Sequence, residues 1–535
     1  MKRTVAATLL SLCIAAQTAA QGLKSGRYEL PYKNTYVKEV FVAENEYRMA
    51  APERIEPRPF DEARRILPAP YWEGHDKEIE MYWHAWRIAV GNIRQPQEGS
   101  GFVSPYLDMA YNGNIFMWDM SFMMLYARYG YRYFPFQRSM DNFYAKQHPD
   151  GFICREIRAD GSDCFERYDP TSTGPDLLPW IELTYFRQFG DIDRLHRIFP
   201  ALCGYAKWWK LNRTWPDGTY WSSGWGTGMD NMPRVKPEYN PIFSHGHMVW
   251  LDTNLQQMLV DESLLQIGFH IERWQEIEWM EEEMKMLKRY INEHLWDERD
   301  GFLHDRYGDG SLCPTKGIGA YWALQTDALD KERLDRLVAH LSDTTEFARP
   351  HRVPSLSADH AKYNPVGRYW QGGVWPGTNY MVIDGLWRKG YRAQAREIAA
   401  NHYASVFEVW KKTGTFWEYY APERPEPGFM ARKDFVGWTG LPPIAVFIEY
   451  VLGIKSDYSE RRIEWDVTRT EAHGIERYPF GPNGVVDLKV RRRGSSSEVP
   501  AVTVSTDVPF DLTVLWGDGQ SRTVHVEKSG EVKLD

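Results

Sequence analysis

The sequence has few cysteines, no block of basic residues and, after its first twenty positions, no long apolar run. A membrane-spanning helix needs about 20 consecutive apolar residues, so none is predicted beyond that point. The net charge of −9 comes without the basic patch of a nucleic-acid-binding protein, so no nucleic-acid partner is expected. Because 43% of the 535 residues are hydrophobic and 26% are charged, a mainly disordered chain is also excluded.

The cysteine pattern excludes the common zinc-binding templates. Four cysteines follow the first twenty residues, and two of them, Cys154 and Cys164, flank a predicted turn. A disulfide between these two and a pair of free thiols are both open interpretations. His245 and His247 are close in sequence but have no third ligand at a defined spacing. The sequence therefore predicts neither a metal site nor a cofactor.

The first twenty residues have the layout of a secretory signal peptide. Lys2 and Arg3 precede an apolar run over residues 5–16, and Ala20 lies where a signal peptidase cuts. The run is too short for a stable membrane span. We therefore predict that residues 1–20 direct export and that the protein is periplasmic or secreted.

Helical periodicity dominates the chain from about Tyr71 to Val451. In the first clear example, Tyr82, Trp86 and Val90 recur every four residues and place apolar side chains on one face. The same count gives twelve predicted helices, over residues 74–97, 118–130, 134–145, 176–190, 191–212, 250–268, 270–295, 318–328, 330–343, 373–389, 391–412 and 438–453.

The connections between these helices alternate in length. Those after the even-numbered helices are a few residues at most. Those after the odd-numbered helices are long, and we call them the rim loops: residues 98–117, 146–175, 213–249, 296–317, 344–372 and 413–437. Neighbouring helices joined by tight turns run antiparallel, so all six rim loops are expected at one end. Six hairpins with one elaborated rim predict a mainly α protein, an (α/α)6 toroid with functional loops at that rim.

After Lys455 the pattern changes to short alternating stretches separated by Gly, Pro, Ser and Asp, which predicts a small antiparallel β-domain. The predicted organisation is an N-terminal arm over residues 21–60, a catalytic helical domain over 61–454 and a β-sandwich-like domain over 455–535. The arm is rich in Tyr, Pro and charge, and we expect it to pack on the barrel as extended chain or short strands.

Aromatic residues are abundant, with 23 Trp, 31 Tyr and 24 Phe making up 15% of the chain. Rings in this number build either a core or a binding surface for a ligand with apolar faces and polar edges. Two rim loops combine rings with a carboxylate: WSSGWGTGMDNMPR carries Asp230, and GTFWEYYAPE carries Glu418. Two carboxylates on opposite loops of one rim supply the acid and the base that cleavage of a glycosidic bond needs.

Six stretches in these regions resemble the (α/α)6 glycoside hydrolases, most closely glycoside hydrolase family 63 and the mannosylglycerate-hydrolase-like enzymes, and more distantly trehalases. They are FMWDMSF, DGFICREI, SGWGTGMDNMPR, RYWQGGVWPGTNY, GTFWEYYAPE and FVGWTGL, in family order over more than 300 residues. The resemblance implies an inverting hydrolase with Asp230 as general acid and Glu418 as general base. It also implies that Asp119 binds sugar hydroxyls in the deepest subsite.

Further candidate substrate-binding residues lie in or beside the same stretches. They are Trp118, Asp119, Arg155, Glu156, Trp225, Arg234, Tyr369, Trp370, Gln371, Trp375, Tyr419 and Trp438. The resemblance implies sugar contacts for those in RYWQGGVWPGTNY.

Structural alternatives are open for several of these residues. Asp119 also suits a helix N-terminus, where its charge favours the helix dipole. Arg155 and Glu156 also suit a surface ion pair, and Arg234 also suits a loop anchor.

The substrate class follows from what the chain shares with these enzymes and what it lacks. The segment before Trp118, YNGNIFM, lacks the Arg and Glu of the trehalase signature, so trehalose is not expected. The export signal favours an external or periplasmic oligosaccharide or glycoside. The expected bond is an α-linkage, as in an α-glucoside or related hexoside. Two other classes stay open: a non-catalytic carbohydrate-binding barrel, and a lyase or epimerase on the same fold. The sequence predicts no oligomeric state.

Overall fold

The computed structural model describes residues 38–109 and 112–534, together with two short strands, Gly22–Ser25 and Tyr28–Pro31. The predicted signal peptide, residues 1–20, lies outside the described residues. Within them, no helix combines the length and the apolar character that crossing a membrane requires.

The helical part of the chain follows the predicted pattern, since each of the twelve predicted segments contains helix. The α-helices are α1 Val40–Glu44, α2 Phe60–Ile66, α3 Asp76–Gly91, α4 Met117–Ala127, α5 Asp141–Ala145, α6 Leu178–Phe189, α7 Ile192–Asn212, α8 Leu251–His270, α9 Trp279–Tyr290, α10 Lys331–Ala339, α11 Pro376–Arg388 and α12 Arg392–Thr413. Short 3-10 helices cover Glu46–Met49, Arg128–Gly130, Phe136–Met140, Trp225–Thr227, Trp274–Ile277, Ile318–Gln325, His340–Ser342 and Trp438–Gly440, and π-helices cover Ile291–Leu295 and Leu441–Val451.

The pair α6 and α7 shows why the short connections occur where the sequence predicts them. α6 ends at Gly190, whose φ of 68° lies in the left-handed region that glycine adopts without strain. Asp191 follows directly, and its side chain accepts a hydrogen bond from the backbone N–H of Arg194 at 3.0 Å, which caps α7. Arg194 also forms a buried ion pair of 2.7 Å with Glu182 of α6. The turn and the ion pair hold the two helices together as a hairpin.

Two of the predicted helices are not regular α-helices. The segment predicted at 318–328 forms the 3-10 helix Ile318–Gln325. Most of the segment predicted at 438–453 forms the π-helix Leu441–Val451, with Pro442 in its first turn, where a missing backbone N–H is tolerated. The spacing of apolar residues indicates a buried helical face in all three helix types, so periodicity does not distinguish them.

Aromatic side chains form much of the helical core. The rings of Tyr82 and Trp86 in α3 are fully buried. Trp86 packs against Tyr126 of α4 with ring centroids 6.2 Å apart, and the Tyr126 hydroxyl donates a hydrogen bond to the carbonyl of Val436 at 3.0 Å. The apolar face predicted for the first helix is therefore core.

The predicted N-terminal arm contains helix as well as strand. Its described residues include α1 and the 3-10 helix Glu46–Met49, and Tyr47 is buried. The Asn45 amide donates hydrogen bonds to the Tyr144 carbonyl and to the Gln147 side chain, both at 2.9 Å. These contacts fix this part of the arm against the end of α5.

The strands fall into short pairs between helices and two larger sheets at the C-terminus. They are β1 Gly22–Ser25, β2 Tyr28–Pro31, β3 Ala69–Trp72, β4 Ile93–Arg94, β5 Tyr106–Leu107, β6 Ile115–Phe116, β7 Glu156–Ile157, β8 Met248–Val249, β9 Trp296–Asp297, β10 Phe302–Leu303, β11 Arg306–Tyr307, β12 Ile454–Asp457, β13 Arg462–Asp466, β14 His473–Pro479, β15 Val485–Val490, β16 Val502–Thr506, β17 Phe510–Trp516, β18 Gln520–Val526 and β19 Gly530–Val532.

The C-terminal strands form one antiparallel sheet and one mixed sheet. The five-stranded sheet has the order β19-β16-β15-β14-β3, with every pair antiparallel. The four-stranded sheet has the order β12-β13-β17-β18, and in it β13 and β17 run parallel. The predicted purely antiparallel pattern is therefore wrong at this pair. The chain between β13 and β17 contains β14 to β16, and a connection of that length can return the chain to the starting end, as a parallel pair requires.

Strand β3 joins the C-terminal sheet from the other end of the chain. It pairs antiparallel with β14, so that Trp72 lies opposite His473. The backbone N–H of Glu73 donates to the carbonyl of Ala472 at 2.9 Å, and the Glu73 carboxylate forms an ion pair of 3.0 Å with Arg492. A segment that precedes the first long helix is thus an edge strand of the C-terminal β-structure.

Candidate active site

A cavity of about 720 Å³ lies where loops from distant parts of the chain meet. Its wall consists of Met109, Asn112, Phe116, Trp118, Asp119, Arg155, Gly228, Asp230, Asn231, Arg368, Tyr369, Trp370, Glu418, Tyr419, Phe429, Met430, Arg432 and Trp438. Five of the six rim loops contribute to this wall. The sixth, residues 296–317, contributes Asp305 to a buried ion network instead. The long loops therefore build one shared site.

Three carboxylates face this cavity: Asp119, Asp230 and Glu418. Asp119 lies in the first turn of α4, and Asp230 follows the 3-10 turn Trp225–Thr227 between α7 and α8. Glu418 lies in the loop after α12. Asp119 and Glu418 are buried and Asp230 is half-buried, so ionisation of these groups costs hydration.

Electrostatics favour the protonated form of the two aspartates. Burial raises the pKa of Asp119 well above its ordinary value, and the charges of Glu418 and Asp230 raise it further, while Arg155 opposes the shift. Burial also raises the pKa of Asp230, against the lowering effects of Arg155 and of a hydrogen bond from Tyr369. A carboxyl group that keeps its proton to higher pH than an exposed Asp suits a proton donor.

Arg155 is held beside these carboxylates by two rings. Its guanidinium packs over Phe165 and Trp225 at 5.0 and 5.3 Å from the ring centroids, and its Nη1 donates to the Trp225 carbonyl at 2.6 Å. The ion pair with Glu156 that the sequence left open is absent from the described residues. Glu156 is not among the residues of the cavity wall, and its carboxylate accepts a hydrogen bond from Asn114 at 2.8 Å. A sugar contact of Glu156 stays a prediction.

The backbone of the Glu418 loop is fixed on both sides. The indole N–H of Trp438 donates to the Glu418 carbonyl at 2.6 Å, and the Glu418 N–H donates to the Arg432 carbonyl at 2.9 Å. The Arg432 N–H reaches the Glu418 carboxylate at 3.4 Å. Trp438 also lines the cavity, so a predicted aromatic contact and a loop anchor coincide in one side chain.

Three rings form a stack along one wall. The Trp370 and Trp375 centroids are 4.1 Å apart at an interplanar angle of 4°, and the Trp375 and Tyr419 centroids are 4.3 Å apart at 21°. All three rings are 2% exposed, but Trp370 and Tyr419 line the cavity, whereas Trp375 lies between them. The predicted sugar contact of Trp375 is corrected to a supporting role, because its neighbours cover both of its faces.

Tyr369 reaches from the same loop toward the acid. Its hydroxyl donates a hydrogen bond to the Asp230 carboxyl, and burial together with the charges of Asp230 and Glu418 raises the pKa of Tyr369 well above its ordinary value. Its ring packs edge-on against Trp375 and Tyr419, with centroids 5.0 and 5.6 Å apart. The structure thus places Tyr369 in contact with a proposed catalytic group.

Arg234 does not line the cavity. Its guanidinium donates to both carboxylate oxygens of Asp252, at 2.7 and 2.9 Å, and to Asp305 at 2.8 Å. The Trp250 ring lies 4.5 Å from the guanidinium carbon. Because every direction around this planar group is occupied, the predicted substrate contact of Arg234 is replaced by the loop-anchor interpretation. Asp252 and Asp305 are the two carboxylates that hold Arg234 in this position.

Gln371 and Trp225 are half-buried and are not among the residues of the cavity wall. The Gln371 side chain donates to the Asn231 carbonyl at 3.1 Å and so connects two loops. Trp225 packs on Arg155 and against Phe243, with the Phe243 centroid 5.0 Å away. It also acts as a hydrogen-bond donor toward Asp230. Sugar contacts of Gln371 and Trp225 stay predictions.

The structure adds wall residues that the sequence did not single out: Met109, Asn112, Phe116, Gly228, Asn231, Arg368, Phe429, Met430 and Arg432. Four of them lie inside the quoted motifs, so those motifs could have indicated them: Phe116, Gly228, Asn231 and Arg368. Phe429 follows the GTFWEYYAPE motif and folds back on it, since its carbonyl accepts a hydrogen bond from the Tyr419 hydroxyl at 2.5 Å. No local sequence pattern indicates such a return.

The described residues contain no group of three or more His, Cys, Asp or Glu side chains arranged to hold a metal ion. Cys154 and Cys164 are free thiols, so of the two interpretations left open the disulfide is not formed. Burial raises the pKa of Cys154 to about 11 and that of Cys164 to about 12, so both stay protonated at neutral pH.

The family model of the mannosylglycerate hydrolase MGH1-like glycoside hydrolase domain matches residues 114–439. This match covers more than half of the chain and includes all three carboxylates of the cavity. The chain belongs to this family. This MGH1-like protein is accordingly a glycoside hydrolase with a carbohydrate substrate.

Individual relatives of this MGH1-like protein are distant. An uncharacterised protein of Borreliella burgdorferi is 24% identical over 360 residues, which make up 64% of this chain and 73% of that protein. A probable mannosyl-oligosaccharide glucosidase of Schizosaccharomyces pombe is 24% identical over 281 residues, which make up 46% of this chain and 34% of the glucosidase. The chain thus spans about a third of that enzyme.

A solved structure shares the fold. The family 63 mannosylglycerate hydrolase of Thermus thermophilus, crystallised in complex with glucose, superposes with a TM-score of 0.54 at 18% identity. The alignment covers 69% of this chain and 99% of that enzyme. At this identity the likeness concerns the fold alone.

Proposed function

We propose that this MGH1-like protein is an exported glycoside hydrolase that cleaves an α-glycosidic bond with inversion, using Asp230 as general acid and Glu418 as general base. The observation that carries the proposal is one cavity whose wall holds both carboxylates beside the stacked rings of Trp370 and Tyr419. Rings cover the apolar faces of a pyranose while carboxyl groups act on its acetal, which is the combination that acid–base cleavage needs. An α-glucoside or related hexoside is the expected substrate.

The scaffold in this proposal is an (α/α)6 barrel. Helix N-termini at the cavity side support it: Asp119 lies in the first turn of α4, and Pro376 begins α11 directly after the buried Trp375. The α6–α7 hairpin and the meeting of five rim loops at one cavity agree with the same arrangement. So does the likeness in fold to the family 63 enzyme.

In the proposed reaction, protonated Asp230 gives its proton to the glycosidic oxygen while the bond from that oxygen to the anomeric carbon breaks. A water molecule attacks the anomeric carbon from the opposite face, and Glu418 takes one of its protons. The products are a free alcohol and a hemiacetal of inverted configuration, and one water is consumed. Because this water lies between base and sugar, we expect the two carboxyl groups to be about 6.5–9.5 Å apart.

Asp119 has a separate role in the proposal. Its position at the start of α4 beside Trp118 lets it accept hydrogen bonds from sugar hydroxyls while the indole covers a ring face. The raised pKa of Asp119 means that sugar hydroxyls must compensate its desolvation for it to act as a charged acceptor. This favours a glycone whose hydroxyls reach the deepest part of the cavity.

The substrate and the stereochemistry can be measured together. The purified protein is incubated with a panel of α-linked gluco- and manno-disaccharides and aryl glycosides, and proton NMR records the first-formed anomer. Inversion gives the β-anomer from an α-glycoside. First release of the α-anomer would contradict the inverting mechanism.

Two substitutions test the catalytic roles. Asp230→Asn and Glu418→Gln each remove one proton-transfer group with little change in shape, so we expect kcat to fall by about 10²–10⁴-fold with an unchanged melting temperature. Asp309→Asn is the matched control, because Asp309 lies on a rim loop, pairs with Lys236 and is outside the cavity. Wild-type activity in either catalytic variant would refute that residue's role.

The alternatives left open by the sequence give different results in the same assay. A lyase releases an unsaturated product that absorbs in the ultraviolet, and an epimerase releases no alcohol. Binding of sugars without turnover of any panel member would indicate a non-catalytic carbohydrate-binding barrel.

A further inference from the structure

Asn231, the residue after the proposed acid, connects two rim loops by three hydrogen bonds. Its Oδ1 accepts from the backbone N–H of Trp370 at 2.8 Å, and its Nδ2 donates to the Arg368 carbonyl at 3.3 Å. Its own carbonyl accepts from the Gln371 side chain at 3.1 Å. All three hydrogen bonds go to residues 368–371, so they connect the Asp230 loop to one short turn.

That turn contains a strained residue. Tyr369 has a φ of 58°, in the left-handed region that a bulky side chain seldom adopts. Such strain persists only where surrounding contacts enforce it. The Tyr369 carbonyl accepts hydrogen bonds from the Gly373 N–H at 3.0 Å and from the Trp375 indole at 3.3 Å. The Asn231 bonds hold the residues on either side of Tyr369, namely Arg368 and Trp370.

The turn carries the Tyr369 side chain beside the proposed acid. Tyr369 and Asp230 line the same cavity, and the Tyr369 hydroxyl acts as a hydrogen-bond donor toward the Asp230 carboxyl. That hydrogen bond favours the charged form and lowers the pKa of Asp230 against the larger raising effect of burial. The turn therefore opposes the effect of burial on the proton affinity of the proposed acid.

We propose that Asn231 is a positioning residue that holds the 368–370 turn in its strained form and thereby keeps the Tyr369 hydroxyl on the Asp230 carboxyl. The proposal rests on the proposed function of Asp230 as general acid. Arg234, three residues further along, anchors the far side of the same loop but bonds to Asp252 and Asp305 and not to the Tyr369 turn. Asn231 is thus the link between the two loops at the acid.

Several other charges act on the same group and must be kept constant in a test. Asp119 faces Asp230 from α4, Glu418 from the loop after α12, and Arg155 from the loop after α5. Arg368 and Arg432 also line the cavity. The variants below leave all of these side chains in place, so a change in pH dependence comes from the hydrogen bond on Asp230.

The test is the pH dependence of kcat/KM for wild type, Asn231→Ala, Tyr369→Phe and the double variant. The alkaline limb reports loss of the proton from the acid, and the acidic limb reports protonation of the base. Removing the hydrogen bond raises the pKa of Asp230, so we expect the alkaline limb to move up by about one pH unit in each single variant. If Asn231 acts through Tyr369, the double variant moves no further than Tyr369→Phe.

Two results would overturn the proposal. One is an alkaline limb that stays at the wild-type pH in Tyr369→Phe, which is measurable even if Asn231→Ala does not fold. The other is an Asn231→Ala enzyme whose activity falls by one factor at all pH values with no movement of the limb. That second result would show a structural role only.

Asn364→Ala is the matched control for Asn231→Ala. The Asn364 side chain accepts a hydrogen bond from the Val366 N–H at 3.1 Å, in the same loop as Tyr369, and it does not contact the Asp230 loop. We expect this variant to lower the melting temperature without moving the alkaline limb.

Asp230→Asn separates failure of the proposed function from failure of the Asn231 proposal. If Asp230→Asn keeps the wild-type pH profile, Asp230 is not the acid. If Asp230→Asn is inactive, the positions of the alkaline limb in the variants above decide the role of Asn231.

Discussion

Gly228 determines how closely the loop of the proposed acid approaches Trp118. A Cβ placed on Gly228 would lie 3.0 Å from three atoms of the Trp118 indole, which is tighter than most Cβ contacts in folded proteins. The φ of 73° adds a backbone conformation that alanine adopts only with strain. Glycine therefore permits this contact between loop and ring without a shift of either.

We expect Gly228→Ala to lower the free energy of unfolding by about 1–3 kcal/mol and to reduce kcat/KM, since the Trp118 ring or the loop has to move. Urea unfolding and steady-state kinetics measure the two effects. Gly414→Ala is the control, because Gly414 has nearly the same φ of 72° and no atom within 4 Å of the added carbon. Equal losses in both variants would show that backbone strain alone acts at Gly228.

Motifs in the sequence predict the residues that act on the substrate better than those that support them. Asp119, Asp230, Glu418 and the rings beside them lie in motifs, and the structure brings them to one cavity. Arg234 lies in the same kind of motif, but its role depends on Asp305, 71 residues away. A residue type at a motif position indicates available chemistry, while the direction of a long side chain depends on distant partners.

At the scale of helices, the two ends of the helical part differ in chemistry. α4 and α11 begin beside the proposed active site, whereas their other ends carry Arg128 and Arg388. Arg187 occupies the last turn of α6. These three cations line a second cavity of about 330 Å³ together with β12, and positive charge at helix C-termini is stabilising. The helix dipoles therefore favour these three charges, and Arg128 also forms a buried ion pair of 2.7 Å with Glu449.

Lys455 of β12 is half-buried where the helices meet the sheet. Its ammonium lies 3.9 Å from the ring centroid of Trp387 and 3.7 Å from that of Tyr450, and it donates to the Glu449 carbonyl. Burial lowers the pKa of Lys455 to about 8 from an ordinary value of 10.5. Between these two pH values the unfolded chain holds a proton that the folded protein has released, so folding becomes more favourable as pH rises.

We expect the stability of wild type relative to Lys455→Met to increase from pH 8 to pH 10.5, by at most about 1.4 kcal/mol per pH unit. Urea unfolding of both proteins at a series of pH values across this range measures the difference. Lys528→Met is the control, because Lys528 is exposed on the C-terminal sheet. A difference that stays constant with pH would contradict the lowered pKa of Lys455 in the folded protein.

Helices were predictable as elements because each carries its own apolar face, as Tyr82 and Trp86 show in α3. The hydrogen-bond type within a helix was not, since the 3-10 helix Ile318–Gln325 and the π-helix Leu441–Val451 bury apolar side chains like any α-helix. The pairing of β13 with β17 was not predictable either. Strand pairing is decided by partners far along the chain, and alternation in one strand contains no information about them.

For the molecule as a whole, a buried histidine pair makes the free energy of unfolding depend on pH in the acidic range. His351 and His402 are 2% and 0% exposed, and their ring nitrogens lie 2.8 Å apart. Burial lowers the pKa of His402 to about 3, and burial together with the His402 charge lowers the pKa of His351 well below its ordinary value. The pair packs near Tyr420 of the Glu418 loop, with centroids of His351 and Tyr420 5.8 Å apart.

Below the ordinary histidine pKa of about 6.5, the unfolded chain takes up protons that the folded protein excludes from this pair, so the free energy of unfolding falls as pH drops toward about 3. We expect His402→Gln to reduce this slope by about 1.4 kcal/mol per pH unit. Unfolding midpoints measured from neutral pH down to about pH 4 test it. His525→Gln, at an exposed position, is the control, and an unchanged slope in His402→Gln would contradict the prediction.

The pairing of β3 with β14 joins residues about 400 positions apart and so constrains the order of folding. During synthesis, Ala69–Trp72 emerges early, while its partner emerges only after every helix described above. Until then the β3 backbone presents unpaired N–H and C=O groups that can pair with the wrong strand. Closure of this sheet must therefore be a late event, and shortening the chain from its C-terminal end leaves the beginning of the helical part with an open edge.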